Sequence, residues 1–90
     1  MATYQGHRSW NAWNVALWIA NDEPTYRAAI RAIDAARRHA RSGTTPDRIA
    51  SDAARRFSLD CIPYGEHTPD GAIYNRKCVK EAIKGLMEEY

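Results

Sequence analysis

Apolar positions recur with a helical period along most of the chain. Residues 10–20 are apolar nearly all round, which is typical of a central helix, and the polar residues that follow end this stretch. The second stretch begins near Pro24, because proline is tolerated in the first turn of a helix. It runs to the basic segment RRHARSG, in which Gly43 suits a C-cap. The first half of the chain therefore predicts two helices, the first N-capped by Ser9.

Two further helices are predicted in the second half. Thr45 is placed to N-cap the third, and Pro46 follows at its first position. The segment DCIPYGEHTPDG contains two prolines and two glycines and is predicted to be an irregular loop. After it, the run YNRKCVKEAIKGLMEEY returns to a helical period. These patterns predict an all-α fold without strands, in which residues 1–90 form one compact four-helix domain with short connections.

The same periodicity predicts the core. On a helical wheel Trp10 and Trp13 share one side of the first helix with Leu17. The predicted core comprises Trp10, Trp13, Leu17, Ile30, Ile33, Ile49, Phe57, Ile83 and Leu86. Trp13→Ala is then expected to cost about 3–5 kcal/mol, and Leu59 is expected to close over the end of the third helix. The first helix has more apolar surface than three short neighbours can cover, so a homodimer is also expected.

Composition and charge narrow the class of protein. Hydrophobic residues make up 44% and charged residues 27% of the chain, and the net charge is only +2. This composition is ordinary for a globular protein. The net charge is too low for a protein that binds nucleic acid by charge alone. No apolar run has the length of a membrane span, and the first eight residues lack a signal peptide's apolar segment. A cytoplasmic protein is expected, with Cys61 and Cys78 as buried free thiols.

Residues that could support catalysis are scattered along the chain. His7, His39 and His67 have no partners at the spacing of a metal site or a nucleophilic triad, and no glycine-rich phosphate loop is present. Asp22 and Glu23 are adjacent, so they diverge on a helix and complement the dipole at its start. We therefore expect a binding protein rather than an enzyme, with no catalytic residues, no cofactor and no metal.

A stripe of arginines on the second helix is the first candidate binding surface. Arg27, Arg31, Arg38 and Arg41 lie about 120° from the apolar face of this helix. Arginine prefers bidentate contacts with carboxylate or phosphate, so these residues suit an acidic protein surface or a nucleic-acid backbone. A solvated helix face is the alternative explanation for each of them.

Trp18 is the second candidate. It shares a sector of the first helix with Asn11 and Asn14, and asparagines are not buried without partners. An aromatic side chain beside amides on a half-exposed face is typical of a protein-binding hot spot. Burial of Trp18 in the core is the alternative. Trp18 and Asn14 are therefore added to the candidate partner-binding residues.

The run WNAWNVALWIANDE, followed by a tyrosine, resembles the opening of a family of small proteins from phages, plasmids and other mobile elements. The matching positions are Trp13, Asn14, Val15, Leu17, Trp18, Asn21, Asp22, Glu23 and Tyr26. That family also carries a TPDG turn, here Thr68 to Gly71, and an aromatic before its last helix, here Tyr74. Ala12 stands where such proteins often have threonine, so a cap at that position is missing here.

The resemblance implies a genomic setting and, through it, a function. Small proteins of mobile elements, including anti-CRISPR proteins, commonly bind and block a host defence complex. Similarity to an anti-CRISPR inhibitor implies a protein that docks on a subunit of a type I, Cascade-type effector complex in the bacterial cytoplasm and blocks target DNA. The alternative is a small DNA-binding regulator, since TTPDRIASDAARRFSLD has a faint helix-turn-helix character. The inhibitor is favoured because the net charge is low and no aromatic platform accompanies the arginines.

Overall fold

The computed structural model describes residues 9–89. These residues form four helices, α1 (Trp10–Asn21), α2 (Glu23–His39), α3 (Pro46–Asp60) and α4 (Arg76–Glu89). Within the same residues the only β-type pairing is an isolated antiparallel bridge between His67 and Ile73. None of these helices has both the length and the hydropathy that crossing a membrane requires. The predicted all-α, four-helix fold is confirmed.

Each helix starts at a side chain that accepts a backbone hydrogen bond from its first turn. Ser9 accepts from the N–H of the residue three positions on, and so do Asp22, Thr45 and Asn75, at 2.8–3.3 Å. The N-caps predicted at Ser9 and Thr45 are confirmed. The predicted C-cap at Gly43 is wrong, because α2 ends at His39 with Ala40 as its C-cap, and Gly43 supplies a positive φ in the turn beyond. Local capping chemistry thus places the helix starts.

The helices pack around the bundle in chain order. α1 contacts α2 and α4, and α3 contacts the same two helices, with a smaller contact between α2 and α4. No contact joins α1 to α3 among the described residues, so these two helices occupy opposite corners of the bundle. The outer face of α1 is consequently directed away from α3.

Small side chains let these helices approach closely. The buried core contains many alanines, and its largest fully buried side chains are Phe57, Ile19, Ile33, Ile83, Val15, Val79 and Asn14. Burial of Ile33, Phe57 and Ile83 was predicted and is confirmed. Three other predicted core residues are only partly buried and pack against the core: Ile30, Ile49 and Leu86.

The predicted orientation of α1 is wrong. Trp10 and Leu17 are exposed, at 39% and 37%, and Trp13 is only half-buried. The buried side of α1 instead carries Val15 and Ile19, both at 0% exposure. Because α1 is apolar on two sides, its own pattern does not decide which side faces the core.

Two predictions near the end of α3 are also wrong. Leu59 is 76% exposed and does not close over the end of the helix, and Cys61 is exposed as well. The predicted burial of Cys78 is confirmed, and both cysteines are free thiols. Ser58 is buried at this end beside Phe57, and its hydroxyl donates to the carbonyl of Arg55 at 2.8 Å.

Candidate functional site

A network of side-chain hydrogen bonds holds the loop between α3 and α4 against α1. The Asn14 Nδ2 donates to Asp70 Oδ2 at 2.9 Å, and the Asn14 Oδ1 accepts from Thr68 Oγ1 at 2.6 Å. The Trp18 Nε1 donates to the same Asp70 oxygen at 2.9 Å. Thr68 Oγ1 in turn accepts from the backbone N–H of Ala72 at 3.0 Å. The polar groups of α1 are therefore paired with the turn TPDG.

Asn11 extends this network along the loop. Its Nδ2 donates to the carbonyl of Ile73 at 2.9 Å, and its Oδ1 accepts from the N–H of Ile73 at 2.7 Å. The amide thus pairs with the loop backbone as a neighbouring strand would. We call the five side chains of this network the clasp: Asn11, Asn14, Trp18, Thr68 and Asp70.

The clasp uses the polar atoms that made its residues candidates for partner binding. Asn14 is 1% exposed, and both ends of its amide are bonded within the chain. The expected surface position of Asn14 is therefore wrong, because its partners lie in the loop. Trp18 is half-buried, and its ring N–H is already committed to Asp70. The donors Asn14 and Trp18, in that order, hold the pKa of the Asp70 carboxyl below its usual value.

The predicted arginine stripe is on the surface but is partly neutralised. Arg27 forms an ion pair with Glu23 one turn earlier, and Arg31 forms one with Asp60 at 3.1 Å. Arg38 is exposed and forms no ion pair within residues 9–89. Arg41, also exposed, lies beyond the end of α2 and so is not part of the same helical face. The structure therefore does not unite the four arginines into one patch.

A cleft between α3 and α4 is lined by four basic side chains. It has a volume of about 680 Å³ and is lined by Ser51, Asp52, Ala54, Arg55, Tyr64, Arg76, Lys77 and Lys80. We call this the basic cleft. The guanidinium carbon of Arg76 lies 5.7 Å from the centre of the Tyr64 ring, which is the distance of a cation–π contact. Arg76 makes no hydrogen bond to any residue among 9–89, so the N–H donors of its guanidinium remain able to bind.

The carboxylates near the cleft are each shared by two cations. Asp52 accepts from Arg56 Nε at 2.9 Å and from Arg55 at 3.0 Å. These hydrogen bonds, that from Arg56 foremost, lower the pKa of the Asp52 carboxyl. Arg76 and Lys77 form no ion pair with any residue in the described part of the chain. Two of the four cations that line the cleft therefore have no carboxylate partner among residues 9–89.

Asp47 is shared in the same way at the start of α3. Its carboxylate oxygens accept from Lys80 Nζ at 2.8 Å and from Lys84 Nζ at 3.2 Å, which ties α3 to α4. The bond from Lys80, followed by that from Lys84, lowers the pKa of Asp47. One carboxylate neutralises only one of these two lysines, so the pair retains a net positive charge.

A neighbouring hollow lies across α3, and its lining includes Asp47 and Asp52 as well as two arginines, so its charges balance. It has a volume of about 570 Å³ and is lined at the α2–α3 turn by His39, Arg41 and Arg48. Ser51 and Asp52 line both this hollow and the basic cleft, so the two depressions are adjacent. Of the predicted arginines, only Arg41 belongs to this larger surface.

The sequence of the whole chain decides its family. Residues 1–90 match a family of unknown function, DUF7249. The chain belongs to this family. The match includes both the α1 segment and the TPDG turn, which the clasp joins in space. No curated protein and no solved structure matches the chain.

Sequence reasoning missed both the clasp and the cleft, because each joins residues that are distant in the sequence. The cleft residues come from α3, the following loop and α4, so no continuous segment displays them together. The clasp had a local signal, since Asn11 and Asn14 are polar positions in an otherwise apolar helix. His39 and His67 are not brought into a metal site, and no group of residues within 9–89 could hold a metal ion. His7 lies outside the described residues.

Proposed function

We propose that this protein is a non-catalytic inhibitor that docks on an acidic subunit of a host type I, Cascade-type CRISPR-Cas complex and blocks target-DNA binding. The observation that supports a binding role is the basic cleft, in which Arg76 and Lys77 have no carboxylate partner among the described residues. The choice of partner rests on the resemblance carried by the α1 motif and the TPDG turn. The site of action is then the cytoplasm of the host bacterium.

The cleft suits an acidic partner because its cations are already positioned. Arg76 makes a cation–π contact with Tyr64, and a side chain that already has a contact loses less entropy when it binds a carboxylate than an unrestrained arginine does. Arg55 is similarly held by Asp52. Arginine anchors of this kind are common hot spots, and truncating one typically costs about 2 kcal/mol or more of binding free energy.

The experiment compares two double charge reversals that alter the net charge equally. Arg76→Glu with Lys77→Glu changes the cleft, and Arg31→Glu with Arg38→Glu changes the α2 stripe. All four residues are exposed, so both variants should retain the helical circular dichroism of the parent. Binding to the purified effector complex is measured by pull-down, with and without target DNA. We expect the cleft variant to lose binding and the stripe variant to keep it.

If the Arg31→Glu, Arg38→Glu variant loses binding and the cleft variant keeps it, the interface is the arginine stripe of α2, as the sequence alone suggested. Parental binding by both variants would contradict a charge-driven interface. Failure of the parent protein to bind any type I complex would refute the proposed partner. If DNA abolishes binding of the parent protein, the inhibitor and target DNA compete for overlapping surfaces, as the proposal requires.

A small DNA-binding regulator is the second candidate. The observation in its favour is the Arg76–Tyr64 pair, because it places an aromatic ring beside unpaired cations. Titration of free duplex and single-stranded DNA at several salt concentrations tests this function. A DNA binder should lose affinity steeply with salt, and the cleft variant should show a shallower dependence because it releases fewer counterions.

A further inference from the structure

The basic cleft combines positive charge with apolar surface. Arg76 and Lys77 line it from α4 and have no carboxylate partner among residues 9–89. Ala54 is only 1% exposed, so it lies at the bottom of the cleft, and the half-buried Tyr64 supplies an aromatic ring. The volume of about 680 Å³ is that of a pocket which encloses a small ligand or a few side chains. A matching ligand therefore carries both negative charge and an apolar group.

The carboxylate of Asp47 shows how the cations of α4 bind an acid. It accepts from Lys80 at 2.8 Å and from Lys84 at 3.2 Å, and these lysines lie one turn apart. A second carboxylate, on the α3 side of the cleft, is shared by two arginines in the same way. Arg76 and Lys77 are the remaining pair of cations at the cleft. A carboxylate from outside the protein would complete this pattern through charge-assisted hydrogen bonds.

We infer that the cleft receives a protruding acidic segment of the partner, in which an apolar side chain lies between carboxylates. The inference rests on the proposed docking function and names the part of the partner that enters the cleft. The carboxylates bind Arg76 and Lys77, and the apolar side chain packs against Tyr64 and Ala54. A flat acidic surface would reach the exposed cations but not the buried Ala54, so a protruding segment fits better.

The position of the two free cations adds to their attraction for an anion. Arg76 and Lys77 are the first two residues of α4, and the first turn of this helix contains no acidic residue. The positive end of a helix dipole disfavours cations, so an anion bound by both side chains relieves this repulsion.

The surroundings of the cleft favour a protein segment over a nucleic-acid strand. A strand needs a positive groove that follows its backbone over several nucleotides. The neighbouring hollow contains Asp47 and Asp52 beside its arginines, so the excess of positive charge ends at the cleft. A short acidic segment requires no more than the cleft provides.

An NMR titration of the ¹⁵N-labelled 90-residue protein tests the inference. The probe is a capped pentapeptide in which phenylalanine lies between two pairs of aspartates. We expect amide shifts centred on the cleft and a dissociation constant on the order of 100 µM. Replacing the phenylalanine with serine should weaken binding about tenfold, because the apolar bottom of the cleft then stays exposed to water. Replacing the aspartates with asparagines should abolish binding.

Variants of the protein locate the two parts of the contact. Arg76→Glu with Lys77→Glu should lose the phenylalanine peptide, whereas the matched charge reversal, Arg31→Glu with Arg38→Glu, should bind it like the parent. Tyr64→Ser should weaken the phenylalanine peptide about fivefold and leave the serine peptide unchanged, since only the former packs against the ring. Equal losses for both peptides would show that Tyr64 has only a structural role, and would overturn the inference.

Three other results would also overturn it. One is the absence of cleft shifts up to about 1 mM peptide, ten times the expected dissociation constant. Another is a serine peptide that binds as tightly as the phenylalanine peptide. The third is an oligothymidylate that binds the cleft more tightly than the acidic peptide, which would favour the DNA-binding regulator.

Pull-down with the effector complex separates this inference from the proposed function. Excess phenylalanine peptide should displace the complex from the parent protein, because both occupy the cleft. A parent that binds the complex but not the peptide would refute the acidic segment and leave the docking function in place. A parent that binds the peptide but no type I complex would support the acidic segment and refute the proposed partner.

Discussion

Asn14→Asp tests the clasp with the smallest possible change of shape. The parent amide accepts a hydrogen bond from Thr68 and donates one to Asp70 across 2.9 Å. The substitution keeps the acceptor but replaces the donor with an oxygen that carries negative charge. It therefore places a buried carboxylate directly beside the carboxylate of Asp70.

The size of the effect follows from the burial of position 14. Asn14 is 1% exposed, so the introduced charge is removed from water without gaining a cation. An uncompensated buried charge typically costs about 3–5 kcal/mol, and Thr68 can offset part of this, so we expect about 3 kcal/mol at neutral pH. That is a large share of the total stability of a small domain.

The stability contribution of Asp70 in the parent and the destabilisation in Asn14→Asp depend on pH with opposite signs. In the parent, hydrogen bonds lower the pKa of Asp70 below 3.8, so their contribution to stability is present above that pH. This contribution is lost as the pH falls through the folded-state pKa. In the variant, burial and the like charge raise the pKa of the introduced carboxyl. Its destabilisation therefore grows as the pH rises from about 4 and is relieved on acidification.

The assay is urea unfolding at neutral pH and at about pH 4, the unfolded-state pKa of a carboxyl, followed by far-UV circular dichroism. Asn21→Asp is the matched control, because Asn21 is an exposed asparagine on the same helix that bonds only the carbonyl of Leu17. A charge there should cost less than about 1 kcal/mol. Equal stability of Asn14→Asp and the parent at neutral pH would refute the clasp. So would a difference between them that does not narrow on acidification.

Four further substitutions test the fold by chemical or thermal unfolding. Phe57→Ala should lower the free energy of unfolding by about 3–5 kcal/mol, because Phe57 is fully buried. Leu59→Ala, at an exposed leucine, should change it by about 0.5 kcal/mol or less. Equal losses in the two variants would contradict the assigned core. Trp13→Ala should cost only about 1–2 kcal/mol, less than a core tryptophan, because Trp13 is half-buried; a variant that cannot fold would place it in the core after all. Thr45→Ala should cost about 1 kcal/mol by removing the N-cap of α3, and an unchanged melting temperature would show that this cap is dispensable.

The sequence by itself determined the elements of this fold. Ser9 and Thr45 cap helices through hydrogen bonds that span three residues, so their effect is visible in a short segment. The prolines and glycines of the α3–α4 loop exclude regular structure in the same local way. On α2, α3 and α4, a single apolar face coincided with burial, as Ile33, Phe57 and Ile83 demonstrate. The class of fold followed because each of these signals is local and agrees with its neighbours.

Only the tertiary structure decided which side of α1 is buried and what its polar residues do. α1 is apolar on two sides, so the neighbouring helices selected the side with Val15 and Ile19 and left Trp10 outside. Asn14 meets Thr68, which lies 54 positions further along the chain, a separation over which no local pattern acts. The basic cleft has the same origin, since Arg76 reaches Tyr64 through the path of the loop. Packing between distant segments sets these contacts, and a single sequence carries no period that encodes them.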